Sequence, residues 1–373
     1  MRIGIDARMY GPSQGGLGRY IEQLIKHLEK TDARNEYAIF LRKANWNEYE
    51  PSTPNFHKIL ADVPWYGWAE QIKMPLIIKK EKVDLMHFPH WNIPFFYHGR
   101  FIVTIHDLIL FHYPSRQASA LGPAAYWFKN LAYKIILRRA ARRAEHIIAV
   151  SEYTKKDIIQ NLKISSEKIS VVHLAPCPMT RIKQDNSLQK YGLARPYVLY
   201  IGVAYPHKNL ERLLEAWNIF TRKYGDDYQL ALAGKKNYFY NRLLNGDLIK
   251  QSNNIVFIDF VPDENLFFLL KNASLYIFPS LYEGFGLPPL EAMLSNTPVI
   301  SSNASCLPEI LGDAAYYFNP SDANEIAEAI NRGLKDKKMR ENLLKNAKQT
   351  LARYSWDKTA KKTLEIYEKF GII

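Results

Sequence analysis

The stretch Leu275-Tyr-Ile-Phe278-Pro-Ser-Leu-Tyr-Glu283-Gly-Phe-Gly286-Leu-Pro-Pro-Leu-Glu291-Ala-Met-Leu-Ser295-Asn-Thr-Pro298-Val-Ile-Ser301 decides how the chain is built. A short apolar run, a turn rich in glycine and proline, an apolar helical segment and a second short apolar run follow one another. That is one strand–helix–strand unit of a parallel sheet.

Working back towards the N-terminus, the same grammar repeats. Strand Tyr197 to Ile201 precedes helix Leu210 to Lys223, Gln229 to Ala233 precedes Tyr238 to Lys250, and Ile255 to Ile258 precedes Glu264 to Lys271. The polar, proline-bearing stretch Ala175 to Ser187 interrupts the alternation and reads as a linker. Before it lies an earlier series: strand Arg2 to Ala7, helix Leu17 to Lys30, then strands Tyr37 to Leu41, Leu85 to Phe88, Phe101 to Ile105, His146 to Val150 and Ile169 to His173. Helices at Ala323 to Gly333, Met339 to Tyr354 and Trp356 to Phe370 close the chain. A length of 373 residues fits two domains, and both halves are apolar enough to build cores. In open α/β sheets ligands lie beyond the carboxyl ends of the strands, so two such domains face to face would enclose a cleft for two substrates.

The two cysteines, Cys177 and Cys306, are far apart and form no Cys-x-x-Cys pair, which argues against a disulfide framework or a zinc knuckle. No apolar run reaches about 18 residues, and Asp6 stands where a signal peptide would be apolar. A cytoplasmic protein is expected. The net charge of +13 sits almost wholly in residues 1 to 195, which carry +12. Between Leu108 and Ala144 there are seven basic residues and no acidic one. Such a run attracts anions. Residues 120 to 143 mix these charges with Trp127, Phe128, Leu131, Ile135 and Ile136, while Trp91, Phe95, Phe96 and Tyr97 lie nearby in sequence. The segment reads either as an interfacial helix on an anionic membrane or as a core helix with a solvated arginine face. No nucleic-acid-binding motif accompanies the charge.

Four clusters at the carboxyl ends of strands carry the chemistry. Gly11-Pro-Ser-Gln-Gly-Gly16-Leu-Gly18 opens the first helix and leaves backbone close to a ligand, but its spacing is not that of a nicotinamide fingerprint. His106-Asp107 ends a first-half strand. Gly202-Val-Ala-Tyr-Pro-His207-Lys208-Asn209 delivers two potentially cationic side chains to a helix start, where they suit a diphosphate, unless Asn209 merely caps the helix. Glu283 and Glu291, eight positions apart around Gly284 and Gly286, combine acceptors for sugar hydroxyls with amides for phosphate. Together these are the needs of a nucleotide sugar.

With these residues the chain resembles the retaining glycosyltransferases of the GT-B fold, in the glycosyltransferase 4 (group 1) family, in the branch of bacterial mannosyltransferases and glycogen synthase relatives. The resemblance covers nearly the whole chain: Asp6-Ala-Arg8, Gly15 to Tyr20, His106-Asp107-Leu108, Val150 to Ile158, Gly202 to Leu210 and, most specifically, Glu283 to Glu291. It implies an N-terminal acceptor-binding Rossmann-like domain over residues 1–185 and a nucleotide-sugar-binding one over 186–355, facing each other across a central cleft, with the helix at about 356–373 packing back on the first. It further implies Glu283 on donor sugar hydroxyls, Glu291 on the ribose, and backbone amides of Phe285, Gly286 and Leu287 on the phosphates. Lys208, with His207 beside it, would neutralise the leaving diphosphate, His106 would touch a sugar hydroxyl, and Gly16 would lie against diphosphate and acceptor. Relatives often carry Arg where His207 stands, and some add Arg at the position of Val203, so the phosphate clamp here holds less fixed charge. Retention of configuration is implied, and with no Asp-x-Asp in the chain neither a metal nor another cofactor is expected. The expected donor is GDP-mannose, with UDP sugars as the alternative, and the expected acceptor is a glycan or lipid-linked saccharide of cell-surface polysaccharide. A nucleotide-sugar epimerase and a nucleic-acid-binding protein are the competing readings.

Overall fold

A computed structural model describes residues 1–114, 123–177, 188–250 and 254–371. They fall into two compact units. Unit 1 holds residues 1–108, the described chain from Pro123 to Ala175, and the C-terminal helix; unit 2 holds 109–114 and the described chain from Pro176 to Arg353. The linker read at Ala175 to Ser187 lies mostly outside the described residues.

Unit 1 is built on seven parallel strands: β1 (Arg2–Asp6), β2 (Glu36–Leu41), β3 (Phe56–Leu60), β4 (Leu85–Phe88), β5 (Phe101–Ile105), β6 (His146–Ala149) and β7 (Ile169–Val171), in the order β3-β2-β1-β4-β5-β6-β7. Its helices are α1 (Gly15–Thr31), α2 (Trp68–Lys80), α4 (Pro123–Arg143) and α5 (Glu152–Leu162), while the short α3 (Ile109–His112) groups with unit 2. Unit 2 has six parallel strands: β8 (Tyr197–Ile201), β9 (Gln229–Ala233), β10 (Ile255–Ile258), β11 (Leu275–Phe278), β12 (Val299–Ser302) and β13 (Ala315–Phe318), ordered β10-β9-β8-β11-β12-β13. Between and after them run α6 (Leu210–Tyr224), α7 (Tyr238–Leu244), α8 (Asp247–Lys250), α9 (Asp263–Asn272), α10 (Leu287–Leu294), α11 (Leu307–Leu311), α12 (Ala323–Lys335) and α13 (Lys337–Ala352). The last helix, α14 (Trp356–Gly371), packs on α1 and β4 of unit 1.

Central strands are buried on both faces, as β4, β5 and β11 are from end to end, because crossover helices cover each side of a parallel sheet. This is why they read as unbroken apolar runs. The edge strands β3 and β10 are half-exposed and mixed in character. β3 and β13 were absent from the sequence reading: Phe-His-Lys-Ile-Leu lacks a sustained apolar run, while Ala-Tyr-Tyr-Phe is a run of only four residues. Helix α1 turns Tyr20, Ile21, Leu24, Ile25 and Leu28 inward at helical spacing, each worth about 1.5–3 kcal/mol on full burial. The single helix read over Tyr238 to Lys250 is two, broken at Asn245-Gly246, where Gly246 N–H turns back to the Leu243 carbonyl.

Both sheets share one decisive feature. In each, the chain starts in the middle, winds to one edge, and returns to build the other half. The strand order therefore reverses between β1 and β4 in unit 1, and between β8 and β11 in unit 2. Loops leaving neighbouring strands at such a point diverge to opposite sides of the sheet and leave a crevice.

Candidate active site

The crevice of unit 2 is flanked by the loop after β8 and the loop after β11. The backbone locks them to each other: Leu281 N–H donates to the His207 carbonyl (2.7 Å), and Asn209 Nδ2 donates to the carbonyls of Pro279 (3.1 Å) and Pro320 (2.7 Å). Asn209, at φ +63°, makes no side-chain cap on α6, contrary to the plainer reading of the sequence; it ties three loops together. Across this seam Lys208 Nζ donates to Glu283 Oε1 at 2.6 Å, with both side chains largely buried. The ammonium also lies 5.6 Å from the Phe278 ring centre. Glu283 is fixed from the other end, its N–H donating to Ser305 Oγ (3.0 Å).

Behind Glu283 the chain makes the turn into α10. Gly286 has φ +88°, and a Cβ placed there would lie 2.8 Å from Leu307 Cδ2, so the turn demands glycine twice over. Leu287 then opens the helix ahead of Pro288 and Pro289, which carry no N–H. The Gly286 and Leu287 amides thus head the positive end of α10. Phe285 is buried beside them, and Glu291, one turn further on, is also buried; it is not the exposed helical residue a plain amphipathic reading allows.

His207 departs from the sequence expectation of a cation. It is buried, with the Tyr205 ring stacked at 5.9 Å and Tyr113 at 6.2 Å, and its pKa falls to about 4 because burial disfavours the charged ring and Lys208 repels it. Near neutrality Lys208 supplies the positive charge of this loop and His207 a neutral aromatic wall. The rest of the wall comes from an unexpected source: His112 and Tyr113, at the end of α3, lie 5.1 Å and 6.1 Å from Tyr282. In the sequence these two residues show only as an aromatic pair directly before Pro114.

In unit 1, His106 follows β5. Its Nε2–H donates to the Pro89 carbonyl (3.0 Å), and its own carbonyl accepts from the Thr154 hydroxyl (3.3 Å). Tyr20 meets the ring edge-on at 4.8 Å. Burial lowers the pKa of His106 to about 4, so the ring is neutral near pH 7 and Nδ1 is left as a hydrogen-bond acceptor. Tyr20 is itself anchored: its hydroxyl pairs with Thr104 Oγ1 (3.0 Å), which pairs with His87 Nε2 (2.8 Å), whose Nδ1 pairs with the Tyr367 hydroxyl of α14 (2.6 Å). The C-terminal helix thereby reaches the histidine through four buried groups. Of the glycines before α1, Gly18 is a packing residue, since a Cβ would strike the Gly11 carbonyl oxygen. Gly16 is exposed with open space around its Cα, so nothing in the packing of the protein requires a glycine there.

The geometry can be set beside known proteins. The family profile described as "Glycosyl transferases group 1" matches residues 183–350, and that described as "Glycosyltransferase Family 4" matches residues 14–175. The chain belongs to the group 1 glycosyltransferases. It is 28% identical over 376 residues to the O-antigen chain mannosyltransferase B of Escherichia coli, covering 95% of this chain and 96% of that one. Among solved structures it resembles sucrose-phosphate synthase from Thermosynechococcus elongatus (TM-score 0.76, 20% identity, 99% and 98% of the two chains). It also resembles Anabaena HepE in complex with UDP and glucose (TM-score 0.72, 19% identity, 99% and 100%). The fold of this group 1 glycosyltransferase is GT-B, with two Rossmann-like sheets.

The helix with the basic run also departs from one of its two readings. Trp127, Phe128, Leu131 and Ile135 of α4 are exposed, not core contacts; the core side is Tyr133, Leu137, Ala140 and Ala141. At 100° per residue the four apolar side chains share an arc of about 100° with Arg138 and Arg142. On α2, Trp68, Ile72 and Leu76 form a second exposed stripe at i, i+4, i+8. Phe95 bridges the two helices, its N–H donating to Gln71 Oε1 of α2 and its ring carrying the Arg139 guanidinium of α4 at 4.0 Å. Among the described residues no helix is long and apolar enough to cross a membrane.

Proposed function

We propose that this group 1 glycosyltransferase is a retaining mannosyltransferase, transferring mannose from GDP-mannose to a growing saccharide of the O-antigen type. The observation that carries the reading is the Lys208–Glu283 pair held over the crevice of unit 2, next to the amides that open α10. One ammonium for a departing diphosphate, amides for its oxygens and two buried carboxylates for hydroxyls fit an activated sugar and little else. Mannose, and the O-antigen setting, rest on the likeness to the Escherichia coli mannosyltransferase.

In the reaction the bond between the sugar C1 and the diphosphate oxygen breaks with its electron pair going to the phosphate. The acceptor hydroxyl oxygen forms the new bond on the same face, and its proton passes to the departing phosphate oxygen. Glu283 holds sugar hydroxyls and Glu291 the ribose; Phe285, Gly286 and Leu287 hold phosphate, and Lys208 offsets the charge that develops there. His207 contributes shape to this pocket. In unit 1, His106 accepts from a hydroxyl through Nδ1, and Gly16 leaves backbone open to the ligands. The reaction uses no metal or other cofactor, because Lys208 and the α10 amides take over the phosphate.

A UDP sugar is the second reading, favoured by the likeness to HepE, whose structure holds UDP and glucose. A thermal-shift panel of GDP-mannose, UDP-glucose and ADP-glucose separates the two. A ligand at 100 times its Kd stabilises the folded state by about 2.7 kcal/mol. GDP-mannose is expected to raise Tm most; a larger shift with UDP-glucose reverses the choice, and no shift with any sugar nucleotide removes the reading.

The exposed stripes of α2 and α4 support docking of unit 1 on the anionic cytoplasmic face of a membrane, where a lipid-linked acceptor is found. Apolar side chains enter the headgroup boundary while Arg138 and Arg142 meet anionic lipid. Co-sedimentation with vesicles of phosphatidylglycerol at low salt is expected, with loss of binding on phosphatidylcholine alone and in Trp127→Ser/Leu131→Ser. Indifference to both lipid charge and these substitutions removes the docking idea.

A further inference from the structure

Trp356 and Tyr367 are eleven positions apart on α14, about three turns, so both lie on its buried face. Trp356 packs on Tyr20 of α1, with 6.2 Å between ring centres. Tyr367 is fully buried against His87 of β4, its ring edge-on at 5.5 Å and its hydroxyl 2.6 Å from Nδ1. From there His87 Nε2 pairs with Thr104 Oγ1 of β5 (2.8 Å), and Thr104 Oγ1 with the Tyr20 hydroxyl (3.0 Å). Tyr367, His87, Thr104 and Tyr20 are each at most 2% exposed, so water does not stand in for a partner that is lost.

Burial, with His106 nearby, holds the pKa of His87 at about 3, so the ring is neutral. A neutral imidazole has one donor and one acceptor nitrogen. Tyr367 therefore either donates to Nδ1 while Nε2–H donates to Thr104, or accepts from Nδ1–H while Thr104 donates to Nε2. In both senses the Tyr367 hydroxyl settles His87, and removing it leaves a buried Nδ1 without that partner.

At the other end of the line stands His106. Its Nε2–H bond to the Pro89 carbonyl holds one edge of the imidazole, and the Tyr20 ring, at 82° and 4.8 Å, bears on the rest. A single hydrogen bond limits how far a ring shifts but not how it tilts; a close-packed neighbour limits both. Tyr20 itself cannot give way easily, because its hydroxyl is tied to Thr104 and its ring is backed by Trp356.

We infer that Tyr367 is a positioning residue: through His87, Thr104 and Tyr20 it fixes the tilt of the His106 imidazole and so aims Nδ1 at a sugar hydroxyl during transfer. The C-terminal helix thereby takes part in the reaction without supplying a group to the ligand. This deepens the proposed function and rests on the role given there to His106.

The test is a double-mutant cycle on the full chain, reading nucleoside diphosphate release from GDP-mannose and from UDP-glucose with octyl mannoside or water as acceptor. Tyr367→Phe is expected to lower kcat about tenfold with the nucleotide Kd unchanged within about twofold, and His106→Ala to lower kcat at least as much. In the double variant Tyr367→Phe should cost nothing further, because the ring it positions is gone. Losses that multiply across the two sites show an effect on the fold at large and overturn the inference, as does a Tyr367→Phe protein at full rate. Thr104→Val, similar in size, breaks the line closer to His106 and takes the place of Tyr367→Phe if that variant fails to fold. Where turnover is too slow to measure, the His106 imidazole C–H resonances decide, read by NMR on histidine-labelled protein and assigned with His106→Ala. They should shift in Tyr367→Phe, and unchanged resonances overturn the inference. His106→Ala at the wild-type rate removes the role of His106 and this inference with it, while nucleotide binding at Lys208 and Glu283 stands. A wild-type protein that binds neither nucleotide sinks the proposed function itself.

Discussion

Lys208 and Glu283 are seventy-five positions apart in sequence and share one hydrogen bond of 2.6 Å. A pair this buried is held by its neighbours more than it stabilises them, because both ions lose hydration. Under the proposed function its value is preorganisation, with the ammonium already set for the diphosphate charge. Lys208→Ala is expected to lower kcat about 10²–10³-fold by removing that electrostatic stabilisation. Glu283, left without its partner, should also cost a few kcal/mol of stability. Steady-state rates taken at a temperature where circular dichroism reports folded protein separate the two effects, and near-normal kcat would take Lys208 out of the mechanism. Sequence alone named both residues, since each belongs to a compact local motif. It did not name the neutrality of His207, because a histidine's charge depends on how much water the fold leaves around it. Nor did it name Glu70 of α2, whose fully buried carboxylate accepts from Arg8 Nη2 (2.6 Å) and Asn92 Nδ2 (2.9 and 3.0 Å).

At the scale of elements, α10 shows how a turn can be both structural and chemical. The positive φ of Gly286 swings the chain so that the next amides face outward from the helix, and Leu307 of α11 closes the space where a side chain would go. Gly286→Ala is expected to cost about 2 kcal/mol from the left-handed backbone and the overlap with Leu307. Differential scanning calorimetry should show this as a fall of about 5 °C in Tm. Nucleotide affinity should fall with it, since the amides tilt. An alanine variant with unchanged Tm and Kd would mean the turn relaxes freely. The central strands and long helices were legible because their burial imposes period and apolarity on the sequence. The edge strands β3 and β13, and the break between α7 and α8, were not: an edge needs only half its face covered, and one glycine decides whether a helix continues.

At the scale of the whole molecule, five histidines among the described residues are neutral near pH 7: His87, His146 and His207 are buried, and His90 and His106 are partly so. His87 and His90 have pKa values near 3, and His106, His146 and His207 near 4, all lowered first by burial. An unfolded histidine titrates near 6.5. Between about pH 6.5 and pH 4 the unfolded chain therefore takes up protons that the folded chain refuses, so folding stability is full above this window and falls as pH drops through it. Calorimetry from pH 7.5 to 4.5 should show Tm declining steadily below pH 6.5, and His87→Gln should flatten the slope. A Tm that holds constant down to pH 5 would contradict the burial of these rings. By itself the sequence determined the two parallel sheets and the motifs of the site, because alternation, glycine turns and carboxylate spacing are local facts that a linear chain can carry. Only the tertiary structure decided where the strand order reverses, which loops meet there, which charges survive burial, and that α14, whose return to the first unit the resemblance already implied, meets β4 and His87 through Tyr367. Those properties belong to contacts between distant segments, whose energies depend on desolvation and packing that no single stretch of sequence contains.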